Sequence, residues 1–168
     1  AMAFSSVAAT MKLTATLGPF GLAFSAEPDA TVTLACDPLK GRPFVTGLNV
    51  MRLTAPMGGR DAYEFRLQCG AGASPWSTLG PSPLMWTAAE QAEASCNRPQ
   101  SARGLQVTRG RVDTGRQDHY GFTLVCGVED ALVELDIEGS RHVGAEEQGG
   151  RRCPEGSFLS GLEVSRAF

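Results

Sequence analysis

The stretch GLNVMRLTAPMGGRDAYEFRLQCG, residues 47–70, decides the fold because the chain contains it twice. Its second copy, GLQVTRGRVDTGRQDHYGFTLVCG at 104–127, begins 57 residues later and aligns without a gap. A third start, FLSGLEVSR at 158–166, lies another 57 residues on and matches FVTGLNVMR at 44–52. Self-similarity at a fixed period indicates one supersecondary unit that is reused, each copy burying its apolar face against the others.

Period-two alternation in both full copies predicts β-strands. Aromatic and aliphatic residues alternate with polar ones after a turn segment that contains Pro56, Gly58 and Gly59 in the first copy. Such alternation is typical of a half-buried antiparallel hairpin. The side chains expected to be buried towards a common axis are Tyr63, Phe65, Leu67, Tyr120, Phe122 and Leu124.

Three further segments are predicted as outer strands of the same units. ATLGP (15–19) and STLGP (77–81) resemble each other, and ALVELDIEG (131–139) is the third. The predicted fold is therefore all-β, a β-prism of three similar antiparallel sheets with pseudo-threefold symmetry. A β-trefoil is the alternative, although its repeats are usually shorter.

One domain, 1–168, is expected to hold all copies of the repeat. The copies extend over approximately 36–95, 96–152 and 153–168, with the N-terminal residues 3–35 as the remaining part. The third copy stops at Phe168, before any equivalent of the second hairpin strand. Either residues beyond 168 complete this copy, or the N-terminal strand ATVTLAC (30–36) closes the last sheet.

The composition favours a β-rich domain that does not have nucleic acid as its main partner. Twenty glycines and ten prolines suit short strands joined by turns. The net charge of −3 argues against nucleic acid, and no apolar run approaches the ~18 residues that cross a bilayer. Five arginines fall within 98–116 and seven acidic residues within 127–147. This segregation fits a binding patch and equally fits two oppositely charged faces of a domain.

Five cysteines in a small domain rich in glycine and proline suggest structural disulfides and an oxidising compartment. Two pairings are open. The first, Cys36–Cys69 with Cys96–Cys126, leaves Cys153 over, and the second, Cys69–Cys96 with Cys126–Cys153, leaves Cys36 over. We favour the first, because it places one cysteine before each hairpin and one at its end.

Catalytic chemistry is not expected, and neither is a cofactor. His119 lies in a predicted strand and His142 in a predicted loop, and we interpret both as solvent-facing. The chain contains no CxxC motif, no glycine-rich phosphate loop and no metalloprotease or hydrolase motif, so we expect neither a metal site nor an enzyme.

The segment ASPWSTLGPSPLMW at 73–86 holds both tryptophans of the chain. Pro81 and Pro83 do not suit a central strand, so Leu84, Met85 and Trp86 are predicted at or near a loop tip. Exposed large apolar groups usually mark a partner, and Trp suits the bilayer interface. The other interpretation is that the triplet folds back into the core. The corresponding segment GPFGLAF (18–24) is less bulky, which argues for the loop tip.

Two patterns, C-x-x-G-x-x-x-x-G-L-x-V at 153–164 and D-x-x-x-F-x-L-x-C at 61–69 and 118–126, resemble the repeats of the egg vitelline membrane outer layer protein, which has a β-prism fold. CPEGSFLSGLEVSR (153–166) carries the nearest match, and SPWSTLGPSPLMW looks like that family's tryptophan-rich strand. Taken together with the loop PLMW, the repeats are more similar to the C-terminal β-rich (APCβ-type) domain of apicomplexan perforin-like proteins. That resemblance extends over about residues 15–168.

The second resemblance implies a membrane-binding module of a secreted pore-forming protein. It implies that Leu84, Met85 and Trp86 dip into a phospholipid bilayer, with phosphatidylserine or phosphatidylethanolamine as the preferred lipid. It also implies a MACPF domain in the same polypeptide, a ring oligomer, secretion from a microneme-type organelle and a role in parasite egress from host cells. The alternative function is a glycan-binding β-prism lectin, in which Trp76 or Tyr63 stacks on a sugar.

Overall fold

The structure is a computed structural model that describes residues 2–8, 11–17, 30–54, 62–70, 72–79, 88–111, 118–127, 131–136 and 147–166. Within these ranges all regular elements are β-strands, and the strands pair antiparallel, as predicted. The strands are β1 (Met2–Ala8), β2 (Met11–Leu17), β3 (Ala30–Ala35), β4 (Val45–Thr54), β5 (Ala62–Cys69), β6 (Gly72–Ala73), β7 (Ser77–Leu79), β8 (Ala88–Ser95), β9 (Ala102–Arg111), β10 (Asp118–Cys126), β11 (Ala131–Asp136), β12 (Glu147–Arg152) and β13 (Leu159–Arg166).

In the described part of the chain these strands form three sheets. The first has the order β6-β5-β4-β8, with β7 also paired to β5. The second has the order β11-β10-β9-β12, and the third the order β2-β1-β13-β3. We call them the first, second and third sheet, after the copy of the repeat that supplies the first strand of each central hairpin.

The two predicted hairpins have the same register. In the first sheet Val50 of β4 lies opposite Phe65 of β5. In the second sheet Val107 of β9 lies opposite Phe122 of β10. The sequence repeat is thus a structural repeat at the level of individual strand pairs.

The third sheet is completed by the N-terminal strand β1, which the sequence analysis did not assign. β13 pairs with β3 along one edge, so ATVTLA does join the last sheet, and with β1 along the other. Phe4 of β1 lies opposite Val164, as Phe65 lies opposite Val50. β1 therefore takes the place of the second hairpin strand that the third copy lacks.

The three predicted outer strands occupy equivalent places. β2, β7 and β11 pair with β1, β5 and β10, the second strand of each hairpin. The sheets also contact one another along their edges. β7 contacts β3, β8 contacts β11, and β12 contacts β2, so each sheet touches both of the others.

A hydrophobic core takes side chains from all three sheets. The six predicted side chains are all buried, with exposed fractions of 0–5%. Tyr63 and Tyr120 pack edge to face with ring centroids 5.7 Å apart, and Phe65 and Phe122 do the same at 5.9 Å. Val164 of the third sheet is also fully buried in this core. Edge-to-face pairs contribute about 0.5–1.5 kcal/mol each beyond the apolar area that they bury.

Candidate functional site

Three equivalent turns lie at one end of the sheets, which we call the cysteine end. Each turn follows a cysteine at the end of β3, β8 or β12, and each cysteine donates its backbone N–H to a carbonyl near the start of β13, β4 or β9. Cys36 donates to Ser160 (2.9 Å), Cys96 to Thr46 (2.8 Å) and Cys153 to Arg103 (2.6 Å). The acceptors are spaced by 57 residues, whereas the cysteines are 60 and 57 apart, because the first turn is three residues longer than the other two.

Two disulfides close the cysteine end. Cys36 is bonded to Cys69 and Cys96 to Cys126, with S–S distances of 2.04 and 2.00 Å and Cα–Cα distances of 5.7 and 5.6 Å. This is the first of the two pairings considered from the sequence. Each bridge joins the residue that precedes a turn to the end of the hairpin that follows that turn. Two disulfides are compatible with a secreted or extracellular protein.

Cys153 is a buried free thiol at the third equivalent position. Burial raises the pKa of this thiol, and the nearby Arg103 guanidinium offsets only part of that effect. The thiolate is the reactive form of cysteine, so a thiol that stays protonated at neutral pH is a poor nucleophile.

The first turn carries an exposed leucine. Asp37 holds this turn, since its side-chain Oδ1 accepts the backbone N–H of Leu39 (2.9 Å) and its carbonyl accepts that of Lys40 (3.2 Å). Leu39 itself is 92% exposed. Phe44, at the end of the same turn, packs against Phe158 of the third turn with ring centroids 5.6 Å apart.

A cavity of about 550 Å³ lies between the first and second turns, and we call it the Arg42–Arg98 cavity. Gly47 lies beside it, in the middle strand of the first sheet between Gln68 and Ser95. A Cβ at Gly47 would come within 2.8 Å of the Ala94 carbonyl oxygen, so the close strand approach requires glycine here. The absence of a side chain also makes room for the carboxamide of Gln68, which lies over Gly47.

A chain of hydrogen bonds fixes the polar wall of this cavity. Ser95 donates to Oε1 of Gln68 (2.6 Å), and Gln68 donates in turn to Oδ1 of Asn49 (3.0 Å). Asn49, which is fully buried, donates to Glu93 (2.9 Å). The Gln68 side chain is therefore held by two partners, which reduces the entropy lost when it binds a ligand.

Of the two aromatics that the sequence offered for sugar stacking, Tyr63 is excluded by the structure. It is 3% exposed and packs against Tyr120 inside the core. Trp76 is partly exposed, but the guanidinium of Arg66 lies 4.7 Å from the centroid of its ring. A sugar would have to displace Arg66 or use the other face of the indole.

The predicted membrane loop, Leu84, Met85 and Trp86, lies outside the described residues. The structure does place the strands on either side of it. Leu79 lies opposite Tyr63, and Ala88 lies opposite Thr54. Both flanking residues are therefore at the end of the first sheet remote from the cysteines, which we call the hairpin end.

Neither a metal cluster nor a membrane-spanning helix occurs among the described residues. No three His, Cys, Asp or Glu side chains converge there as metal ligands. The same ranges contain no helix of sufficient length and apolar character to cross a bilayer. His119 lies in a strand, β10, as expected, and His142 lies outside the described ranges.

Comparison of the chain with known protein families, with curated proteins and with solved structures gave no significant match.

The Arg42–Arg98 cavity is the feature that sequence reasoning missed. Arg98 belongs to the arginine-rich segment 98–116, whereas no pattern in the sequence distinguishes Arg42. The two are far apart in sequence and meet because the start of β4 lies beside the end of β8. One signal was available: positions 44, 101 and 158 share the 57-residue register, and the middle one is Ser101 where the others are phenylalanine.

Proposed function

We propose that this chain is a non-catalytic membrane-binding module that attaches a secreted pore-forming protein to phospholipid bilayers. The loop that contains Leu84, Met85 and Trp86 inserts into the bilayer interface. What supports this proposal is the sequence resemblance to the β-rich domain of apicomplexan perforin-like proteins, which rests on the repeats taken together with the PLMW segment.

The scaffold for this loop is a β-prism with pseudo-threefold symmetry. Equivalent registers in the central strand pairs of the three sheets support this architecture, and so do the edge contacts that link each sheet to both others. The inner faces meet in a shared core, so the outer ends of the sheets are available to carry loops of different sequence.

The observation that carries the proposal is the position of Leu79 and Ala88. They belong to strands on opposite sides of the β4–β5 pair, about three strand spacings or roughly 14 Å apart. The chain between them can reach roughly 30 Å. Eight residues thus exceed what is needed to cross the sheet end, and the surplus length is sufficient for a projecting tip.

The apolar area of the triplet is sufficient for reversible attachment. Inserting Leu84, Met85 and Trp86 to the interface would bury on the order of 300 Å² of apolar surface, or roughly 7 kcal/mol at 25 cal/mol/Å² before ordering costs. Several copies in a ring would strengthen attachment through avidity. A MACPF domain in the same polypeptide would supply the pore, and release from a microneme-type organelle would bring the protein to host membranes during egress.

Co-sedimentation with vesicles tests the proposal. Wild-type protein is expected to bind vesicles that contain phosphatidylserine or phosphatidylethanolamine, and Met85→Ala/Trp86→Ala is expected to lose binding at an unchanged melting temperature. Leu39→Ala is the matched control, because Leu39 is an exposed apolar residue at the opposite end. Binding through an apolar tip should persist at 0.5 M salt, where exposed charges are screened.

Fluorescence locates the contact. In a Trp76→Phe background Trp86 is the remaining tryptophan, and its emission is expected to shift to shorter wavelength on vesicle addition. A double variant that still sediments with vesicles would overturn the proposed loop. A double variant that melts far below wild type would instead place the triplet in the core, since a buried Trp→Ala costs about 3–5 kcal/mol.

A further inference from the structure

The Arg42–Arg98 cavity has a lining that the repeat itself does not require. Position 47 and its equivalents, 104 and 161, are all glycine, but the residues on either side of them differ. Gly47 lies between Gln68 and Ser95, whereas Gly161 lies between Val7 and Ala35. Hydrogen-bonding side chains are therefore present at a position where the same fold accepts apolar ones.

The cavity also lies at a position where the second copy of the repeat has a smaller residue than the other two copies. Phe44 and Phe158 occupy equivalent positions and pack against each other, while the third equivalent is Ser101. Ser101 lines the cavity. A phenylalanine there would place a ring in space that is now open.

Two arginines and several neutral polar residues line this space. The arginines are the exposed Arg42 and Arg98, and the hydroxyl-bearing residues are Thr46, Ser95 and Ser101. Among the described residues that line the cavity, none is acidic. Asp37 and Lys40 line an adjoining cavity of about 200 Å³, which shares Arg42, Cys69, Gly72 and Ala73 with this one.

We propose that the Arg42–Arg98 cavity binds a phosphorylated polyol. Guanidinium groups bind phosphate oxygens through paired N–H donors. Hydroxyl groups and the second N–H of Gln68 match the hydroxyls of a sugar or cyclitol, which both donate and accept. A volume of about 550 Å³ lies within the range of about 300–1,000 Å³ that is usual for small-molecule sites.

This site is independent of the proposed membrane loop. It lies at the cysteine end, about 23 Å along β4 from the residues that flank the loop, given the rise of a β-strand. If a bilayer is bound at the hairpin end, the cavity lies at the opposite end of the first sheet, away from the bilayer. The polyol phosphate can be a free solute or the headgroup of a second lipid surface, and the two sources require separate measurements.

Calorimetric titration of the full chain with soluble myo-inositol 1,4,5-trisphosphate tests the site. Saturable binding is expected, at least tenfold tighter than that of inorganic phosphate, and none is expected with unphosphorylated inositol. Ser101→Phe and Arg42→Ala/Arg98→Ala should each weaken binding at least tenfold. Arg152→Ala removes the same charge at the cysteine end of the second sheet and should leave binding unchanged.

Vesicles that contain phosphatidylinositol 4,5-bisphosphate identify the source of the ligand. The Met85→Ala/Trp86→Ala background removes the apolar side chains of the proposed loop. If this variant still binds the vesicles, and Ser101→Phe then abolishes that binding, the ligand is a lipid headgroup. Soluble binding without vesicle binding would assign a free solute. The proposal is overturned if no phosphorylated compound binds, if inorganic phosphate binds equally well, or if both the Ser101 and the double arginine variants bind like wild type. Because soluble ligand is used first, these outcomes do not depend on the membrane loop.

Discussion

Leu159 lies opposite Ala8 at the cysteine end of the third sheet. The equivalent pairs in the other two sheets are Val45 with Cys69 and Ala102 with Cys126. Ala8 thus occupies the register position at which both other hairpins carry the second cysteine of a disulfide. Cys153 is unpaired because this one position is alanine.

Replacing Ala8 with cysteine is expected to create a third disulfide, with Cys153. Closing a loop of more than ~100 residues stabilises by up to about 5 kcal/mol on the chain-entropy model, so the melting temperature should rise. Non-reducing peptide mapping and thiol titration check the bond. Val7→Cys is the control, because Val7 lies opposite Gly161 and should leave both thiols free. Two free thiols in folded Ala8→Cys protein would contradict the register of the third sheet.

Phe65→Ala is expected to destabilise the protein by about 3–5 kcal/mol. The ring is fully buried and packs edge to face on Phe122, so its removal leaves a cavity between two sheets. Denaturant unfolding measures the change. Leu39→Ala, at a 92% exposed position, should alter stability by less than about 0.5 kcal/mol. Equal effects of the two substitutions would show that the core is not where the structure places it.

Asn49→Ala should cost about 1–3 kcal/mol, because it removes one partner from Gln68 and one from Glu93. The loss of unfolding free energy caused by Asn49→Ala should be smaller in a Gln68→Ala background, since the two side chains belong to one hydrogen-bonded chain. A double-mutant cycle by chemical denaturation measures this coupling. Strict additivity would mean that the hydrogen bond between Asn49 and Gln68 contributes nothing to stability.

The buried thiol of Cys153 is expected to lower the stability of the protein at alkaline pH. Burial raises the pKa of its thiol in the folded state, whereas the unfolded thiol releases its proton near pH ~8.5. Above that pH the unfolded chain binds fewer protons than the folded one, so the free energy of unfolding falls as the pH rises. Denaturant midpoints between neutral pH and mild alkali measure the slope. Cys153→Ala should flatten it, and an identical slope in the variant would contradict the assignment.

The sequence repeat predicted the hairpins and their buried faces, but not the partner of the last hairpin strand. Val50, Val107 and Val164 share the 57-residue register, so the local pattern alone identifies three equivalent strands. The sequence did not predict β1 as the partner, because its sequence MAFSSVA shares little with the equivalent strand β5, AYEFRLQC, apart from Phe4. Ser6 of β1 stands where β5 has Leu67. Its place is set by pairing with β13 across almost the whole chain, which no local pattern encodes.

The Arg42–Arg98 cavity could not be predicted from the sequence for a related reason. Its residues are ordinary turn and strand-end residues in the sequence, and they become a group only when the start of β4 and the end of β8 lie side by side. The arginine-rich segment 98–116 suggested a continuous basic patch. Instead the structure groups Arg98 with Arg42 at the cavity, while Arg103 lies next to Cys153.

Pairing of β1 with β13 also sets the order in which this protein can fold on the ribosome. β1 is synthesised first, yet its partner emerges only when residues 159–166 have left the ribosome. The hairpins of the first and second sheets have nearby partners and can form earlier, since contacts close in sequence form faster. The third sheet must close last, and until then one edge of β1 lacks its partner strand. Unpaired strand edges promote aggregation, so the β1–β2 pair is exposed to this risk until β13 pairs with it.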